Sequence, residues 1–291
     1  MSSPLRFGVN MFLTDSKQAW IEKCRRAEDS GFDVLGVADH LGFLAPLPAM
    51  LLAAQVTERV LVNSFVLNVP FYNPTLLARE VATVDLLTDG RLELGLGAGY
   101  VKSEFDTAAI DFPGPGRRVE QVAEFARTLR ATFADPEYRP RPARAGGPPL
   151  LIGGWGERML AVAARYADVV AFTAGRTTVD GSLLMGTPEE LDQRVARVRE
   201  LLGERAESTE FNILIQQFAA PHQRAALLDR LTPNLPDGTH ERAEEIPALL
   251  IGTPEQMADQ LRERHKRYGI NYFTVLEPNM DAMARVIELL R

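Results

Sequence analysis

The stretch Arg91–Glu104, R-L-E-L-G-L-G-A-G-Y-V-K-S-E, is a short alternating strand that runs straight into a glycine-rich turn. Gly95, Gly97 and Gly99 stand at every second position, so side chains are missing where the strand ends. Glycine at a strand end marks a sharp turn or a place that something approaches closely. A phosphate or a flat ring fits that description. Close helix–strand packing explains the same residues without a ligand.

Outward from this stretch, short apolar runs alternate with helical patterns. Strands are predicted at Arg6–Phe12, Asp33–Ala38, Val60–Leu67, Arg91–Leu96, Leu150–Ile152, Asp168–Phe172, Phe211–Phe218 and Tyr272–Leu276. Between them, Trp20, Cys24 and Ala27 share one face of a helix over Lys17–Ser30, and Gly31 stops it. Asn73-Pro74 opens another helix with proline at its first position. Thr187-Pro188-Glu189-Glu190 and Thr253-Pro254-Glu255-Gln256 are capping boxes of one kind. Eight strands, each followed by a crossover long enough for a parallel neighbour, predict a (β/α)₈ barrel, with a doubly wound open sheet as the rival. The connections lengthen after strands six and seven. Thr173–Gly186 and Pro221–Ile246 read as insertions without their own structure, of the kind that form lids or walls.

The 291 residues fit a single domain of this type. A formal net charge of −7 argues against general nucleic-acid or anionic-membrane binding. One cysteine, Cys24, permits no intrachain disulfide and reads as core. The four histidines are scattered and form no metal-ligand cluster. M-S-S-P-L-R-F-G runs directly into the first strand, with no secretory pattern and no apolar run long enough to span a bilayer, so the expectation is a cytoplasmic enzyme.

Barrel ligands bind where strands end. That rule selects Asp39-His40 after strand two, Asn68 beyond strand three, Gly97-Ala98-Gly99-Tyr100 and Glu104 after strand four, and Gly153-Gly154-Trp155-Gly156 after strand five. The last group sits at a helix start, where free N–H groups and the helix dipole favour an anion such as a phosphate. A tight turn with no ligand gives the same sequence. His40 is the side chain able to move a proton near neutral pH, and Asp39 beside it could hold a substrate hydroxyl or tune the imidazole. Both could equally be satisfying loop backbone. Glu104 can face the pocket as an acid or base, or be a solvated residue. Trp155 could cover a ring or pack on the neighbouring helix.

At this point the chain resembles the luciferase-like monooxygenase family. The resemblance rests on Thr75–Tyr100 (T-L-L-A-R-E-V-A-T-V-D-L-L-T-D-G-R-L-E-L-G-L-G-A-G-Y), Ala27–Leu41, Pro148–Gly156 and Leu250–Gln256. Within that family it is similar to the branch of oxidoreductases that use the deazaflavin coenzyme F420. The resemblance implies a barrel that holds a flavin-type cofactor at its rim, usually as a homodimer. Gly153–Gly156 would hold the cofactor phosphate, and Gly97, Ala98 and Gly99 would line the ribityl chain. Asp39 and His40 would sit by the reactive ring carbon, with Glu104 across the pocket. Phe65-Val66 would form a bulge with a non-prolyl cis peptide behind the ring. Tyr72-Asn73-Pro74 and Asn63-Ser64 depart from the R-H-P and Gly-Thr common in relatives, and Trp155 stands where they carry a small residue. The implied reaction is hydride transfer between F420 and a small organic substrate. The alternatives are an FMN-dependent monooxygenase, which would draw reduced flavin from a partner reductase, and a flavin-binding protein without turnover.

Overall fold

The computed structural model describes residues 4–177 and 182–291. Eight parallel strands form one ring: Arg6–Met11, Val34–Val37, Leu61–Ser64 with its continuation Leu67–Asn68, Leu92–Gly97, Leu150–Gly154, Val169–Phe172, Glu210–Ile215 and Tyr272–Leu276. They are strands one to eight below. Strand one pairs with strand two and also with strand eight (Gly8 opposite Val34 and Thr274), and strand three pairs with strand four (Val62 opposite Leu92). These pairings close the ring, so the open-sheet alternative is excluded.

Around the barrel run α1 (Lys17–Asp29), α2 (Pro46–Val56), α3 (Pro74–Leu87), the short α4 (Lys102–Thr107), α5 (Pro115–Ala134), α6 (Glu157–Tyr166), α7 (Pro188–Leu202), α8 (Arg224–Leu231), α9 (Pro254–Tyr268) and α10 (Met280–Glu288). Their ends follow local chemistry. Asn73 accepts the free N–H groups of Thr75 and Leu76 at the start of α3. Both predicted capping boxes form, at Thr187 and at Thr253. Gly269, at φ 72°, ends α9 in the left-handed region where a Cβ is disfavoured. Trp20, Cys24 and Ala27 are buried on one face of α1, as their spacing predicts. No helix among the described residues is long and apolar enough to cross a membrane.

Side chains alternate along each strand. One set, including Phe7, Val9, Leu94, Ile152, Ile213 and Val275, belongs to the large buried layer shared with the helices. A smaller cluster of Val34, Leu151, Val169, Ala171 and Tyr272, edged by Phe65 and Val66, fills the barrel interior. At the N-terminal end of the barrel that interior becomes charged. Arg6 bonds Glu93 at 3.2 Å and also pairs with Glu210, while its guanidinium lies 4.4 Å from the Tyr272 ring centre. Glu93 also accepts from Asn63 and from the Tyr272 hydroxyl. Desolvation of a buried carboxylate is costly unless hydrogen bonds and opposite charge compensate it, and Glu93 has both.

The insertions differ from expectation. Strand seven leaves the barrel at Ile215, and Gln217–Ala219 pairs instead with Leu249–Ile251 outside it. Pro221–Ile246 is not structureless. It carries α8, which buries Leu227, Leu228 and Leu231. In Thr173–Gly186, Gly175–Thr177 and Leu183–Met185 pair antiparallel, and residues 178–181 lie outside the described residues. The two insertions meet over Trp155, where Arg176, Leu184, Asn234 and Asp237 help to line a cavity of about 300 Å³.

Candidate active site

The C-terminal rim is organised by a fold-back in strand three. The peptide bond between Phe65 and Val66 is cis, where the family resemblance places one. The Phe65 carbonyl accepts from Asn10 Nδ2 at 3.2 Å. Val66 turns toward strands four and five and becomes part of the floor. A Cβ on Gly97 would lie 2.5 Å from Val66, and one on Gly95 would lie 1.9 Å from the Ser64 carbonyl oxygen. Gly99 has φ 68°, and a Cβ there would lie 2.2 Å from the Asn68 side-chain oxygen. The space vacated by these glycines is therefore taken by the protein's own third strand. Ala98, between Gly97 and Gly99, packs against the core.

His40 and Glu104, expected on opposite sides of the pocket, are bonded directly: His40 Nδ1 to Glu104 Oε1 is 2.7 Å. A carboxylate oxygen accepts, so Nδ1 carries the proton and Nε2 is the nitrogen left for a ligand. Glu104 is held in place by its neighbour. Phe105 is fully buried and makes edge contacts with Phe71 at 4.9 Å and Phe112 at 4.8 Å. Burying a side chain of that size contributes roughly 1.5–3 kcal/mol. That anchors α4, a six-residue helix without a side-chain cap. Arg118 braces the same loop, donating to the Gly99 carbonyl at 3.1 Å with its guanidinium 4.1 Å from the Phe112 ring centre. The second Glu104 oxygen is buried and has no protein partner.

Asp39 does not orient His40 through a hydrogen bond. Its Oδ2 accepts the Asn68 N–H at 2.8 Å and the Tyr72 hydroxyl at 2.9 Å. Burial pushes the Asp39 carboxyl above its ordinary range, and these two donors offset part of that shift. Asp39 thus ties the loop after strand two to the exit of strand three. Tyr72, noticed in the sequence only as a departure from relatives, is the second half of that tie. Burial, with the nearby Asp39 charge, keeps its hydroxyl protonated as a donor.

Aromatic rings surround the imidazole. Phe43 and Tyr100 present edge contacts to it at 5.6 and 5.7 Å, and Phe12 stacks on Phe43 at 5.5 Å. Tyr100 is 46% exposed, and partial burial together with the Glu104 charge raises its hydroxyl pKa. Phe12 and Phe43 escaped the sequence reading because lone loop aromatics carry no periodic signal.

The turn after strand five is different. Gly156 is the N-cap of α6 with no side-chain cap, and a Cβ there would touch nothing within 4 Å. Gly153 has only ordinary contacts, the nearer being Val66 at 3.6 Å, whereas Gly154 is filled by Met159. Trp155 does not cover the rim. Its indole is 5% exposed, under the Arg194 guanidinium at 4.1 Å and against Gly186. Among the described residues no group of three acidic, histidine or cysteine side chains could hold a metal.

A closed parallel barrel carries the His40–Glu104 pair at its C-terminal rim. The chain belongs to the luciferase-like monooxygenase family, which matches residues 11–179. It is 30% identical over 179 residues to the 5,10-methylenetetrahydromethanopterin reductase of Archaeoglobus fulgidus, covering 58% of this chain. The chain spans about half, 53%, of that relative's length. It is 26% identical over 302 residues to the F420-dependent glucose-6-phosphate dehydrogenase of Kribbella flavida, covering 90% of this chain and 88% of the relative. The fold matches that of an F420-dependent secondary alcohol dehydrogenase in complex with an F420-acetone adduct (TM-score 0.74, 19% identity, 99% of this chain and 100% of that one). It equally matches a long-chain alkane monooxygenase (TM-score 0.74, 13% identity, 100% and 92%).

Proposed function

We propose that the protein is an oxidoreductase that transfers a hydride between coenzyme F420 and a small organic substrate, with His40 as the proton partner. The observation that carries this reading is the 2.7 Å bond between His40 Nδ1 and Glu104 Oε1 at the barrel rim. The F420-dependent glucose-6-phosphate dehydrogenase of Kribbella flavida, a relative over most of this chain, supports the choice of cofactor.

The residues present fit such a cofactor. The α6 N-terminus leaves backbone N–H groups without a side-chain cap, and Gly156 leaves room beside them, which suits a phosphate. Val66 and Gly153 would back the ring, with Phe65 beneath. When bound, a reduced deazaflavin supplies a hydride from its ring carbon and reacts poorly with oxygen. The protein's own part is proton transfer. Glu104 fixes the imidazole tautomer and stabilises the imidazolium, so Nε2 can give a proton to a substrate oxygen or take one from it. FMN with oxygen is the second reading, and membership of a family described as luciferase-like monooxygenases is what favours it. We also propose a homodimer and a cytoplasmic location.

Titration of the purified chain with oxidised F420 and with FMN, followed by absorbance, tests the cofactor. Saturable binding of F420 alone is expected, and binding of FMN alone would overturn the choice. His40→Ala should lower turnover by about 10²–10⁴-fold. Turnover near the starting value in that variant would remove His40 from the mechanism.

A further inference from the structure

The loops after strands one to four carry very little positive charge. Residues 12–16, 38–45 and 69–73 contain neither lysine nor arginine, and residues 98–114 contain Lys102 alone. Lys102 is paired with Asp106 at 2.7 Å. Lys23 and Arg118, which approach from neighbouring helices, are also engaged: Lys23 with Glu277, and Arg118 with the Gly99 and Pro113 carbonyls. The same loops carry Asp15, Asp39, Glu104, Asp106 and Asp111. An anion placed against His40 would meet carboxylates and find no free cation among these groups.

What this half of the rim does offer is apolar surface. Leu13 is 52% exposed, Leu41 46%, Phe43 36% and Tyr100 46%, all on loops at one end of the barrel. Phe43 and Tyr100 both flank the imidazole, so their open faces offer an apolar wall beside it. An aromatic ring set edge-on to Phe43 or Tyr100 would extend the packing already present around the imidazole.

We infer that the substrate is an uncharged ketone or alcohol with an apolar, ring-sized body. Its oxygen meets His40 Nε2, and its body lies against Phe43, Tyr100 and Leu41. This charge pattern disfavours phosphorylated and carboxylated metabolites beside His40. The inference rests on the reading of this rim as the substrate side of a hydride-transfer site.

The test is a binding titration, with and without oxidised F420, of three probes: acetophenone, the same ketone with a para carboxylate, and the same ketone with a para trimethylammonium group. Oxidised cofactor and ketone cannot react, so binding alone is read. Acetophenone should bind about tenfold or more tightly than the carboxylate, which like-charge repulsion at partly buried range disfavours. Phe43→Ala should weaken acetophenone by about three- to tenfold through lost ring contact. Leu41→Arg should raise carboxylate binding relative to acetophenone. Equal or tighter binding of the carboxylate, tightest binding of the trimethylammonium probe, indifference to Phe43→Ala, or no binding of any probe would each overturn the inference. A preference for acetophenone that persists when neither F420 nor FMN binds would leave it standing while the hydride-transfer reading fails. A carboxylate preference with F420 bound would do the reverse.

Discussion

The two glycine turns at the rim look alike in sequence and do opposite things. After strand four, Gly95, Gly97 and Gly99 are bare because strand three folds back into the space their side chains would fill. After strand five, Gly156 is bare beside open space at an uncapped helix start. The first turn is internal packing that shapes the site's floor. The second is a surface left available to something else. Glycine shows that room exists and not who occupies it, and only the neighbouring chain path tells the two cases apart.

Substitutions can break this contrast in a definite order. Gly95→Ala would place a methyl against a backbone carbonyl that cannot rotate away, and should cost about 3 kcal/mol or more, read as a fall in the chemical-denaturation midpoint. A stable variant would mean that the fold-back yields easily. Gly97→Ala meets only the Val66 side chain, which can shift, so a loss of about 1–3 kcal/mol is expected, accompanied by weaker F420 binding because the floor moves. Asp39→Ala removes the acceptor of the Asn68 and Tyr72 donors and should also cost about 1–3 kcal/mol. Because His40 bonds Glu104 instead, turnover in that variant should fall far less than in His40→Ala; an equal fall would return Asp39 to the chemistry. Gly156→Asp should change stability by only a few tenths of a kcal/mol, since aspartate is at least as good an N-cap as glycine. Its carboxylate would occupy the N–H groups offered to a phosphate, and F420 affinity should drop about tenfold. Unchanged affinity would move the phosphate elsewhere and leave the second turn as structural as the first.

The strand–helix alternation was legible because barrel strands and crossover helices carry strong periodic signals. Tyr272–Leu276 falls at its predicted bounds. The rim was legible as a set of positions but not as a set of bonds. Asp39 stands next to His40 in the chain, yet their partners lie across the rim, on Asn68, Tyr72 and Glu104. Such pairings depend on how loops from different strands meet, and no local pattern encodes that. The same holds for Trp155, whose partner Arg194 comes from α7. Helix α8 was hidden by its setting, three leucines in a run of charged and turn-forming residues.

The charged cluster of Arg6, Glu93, Glu210 and Tyr272 sits at the end of the barrel away from this chemistry. Glu93 and Tyr272 are each 1% exposed, so that end is sealed. The barrel is a cup with one mouth. The cofactor and substrate proposed above would then share one approach, from the C-terminal rim past Phe43 and Tyr100.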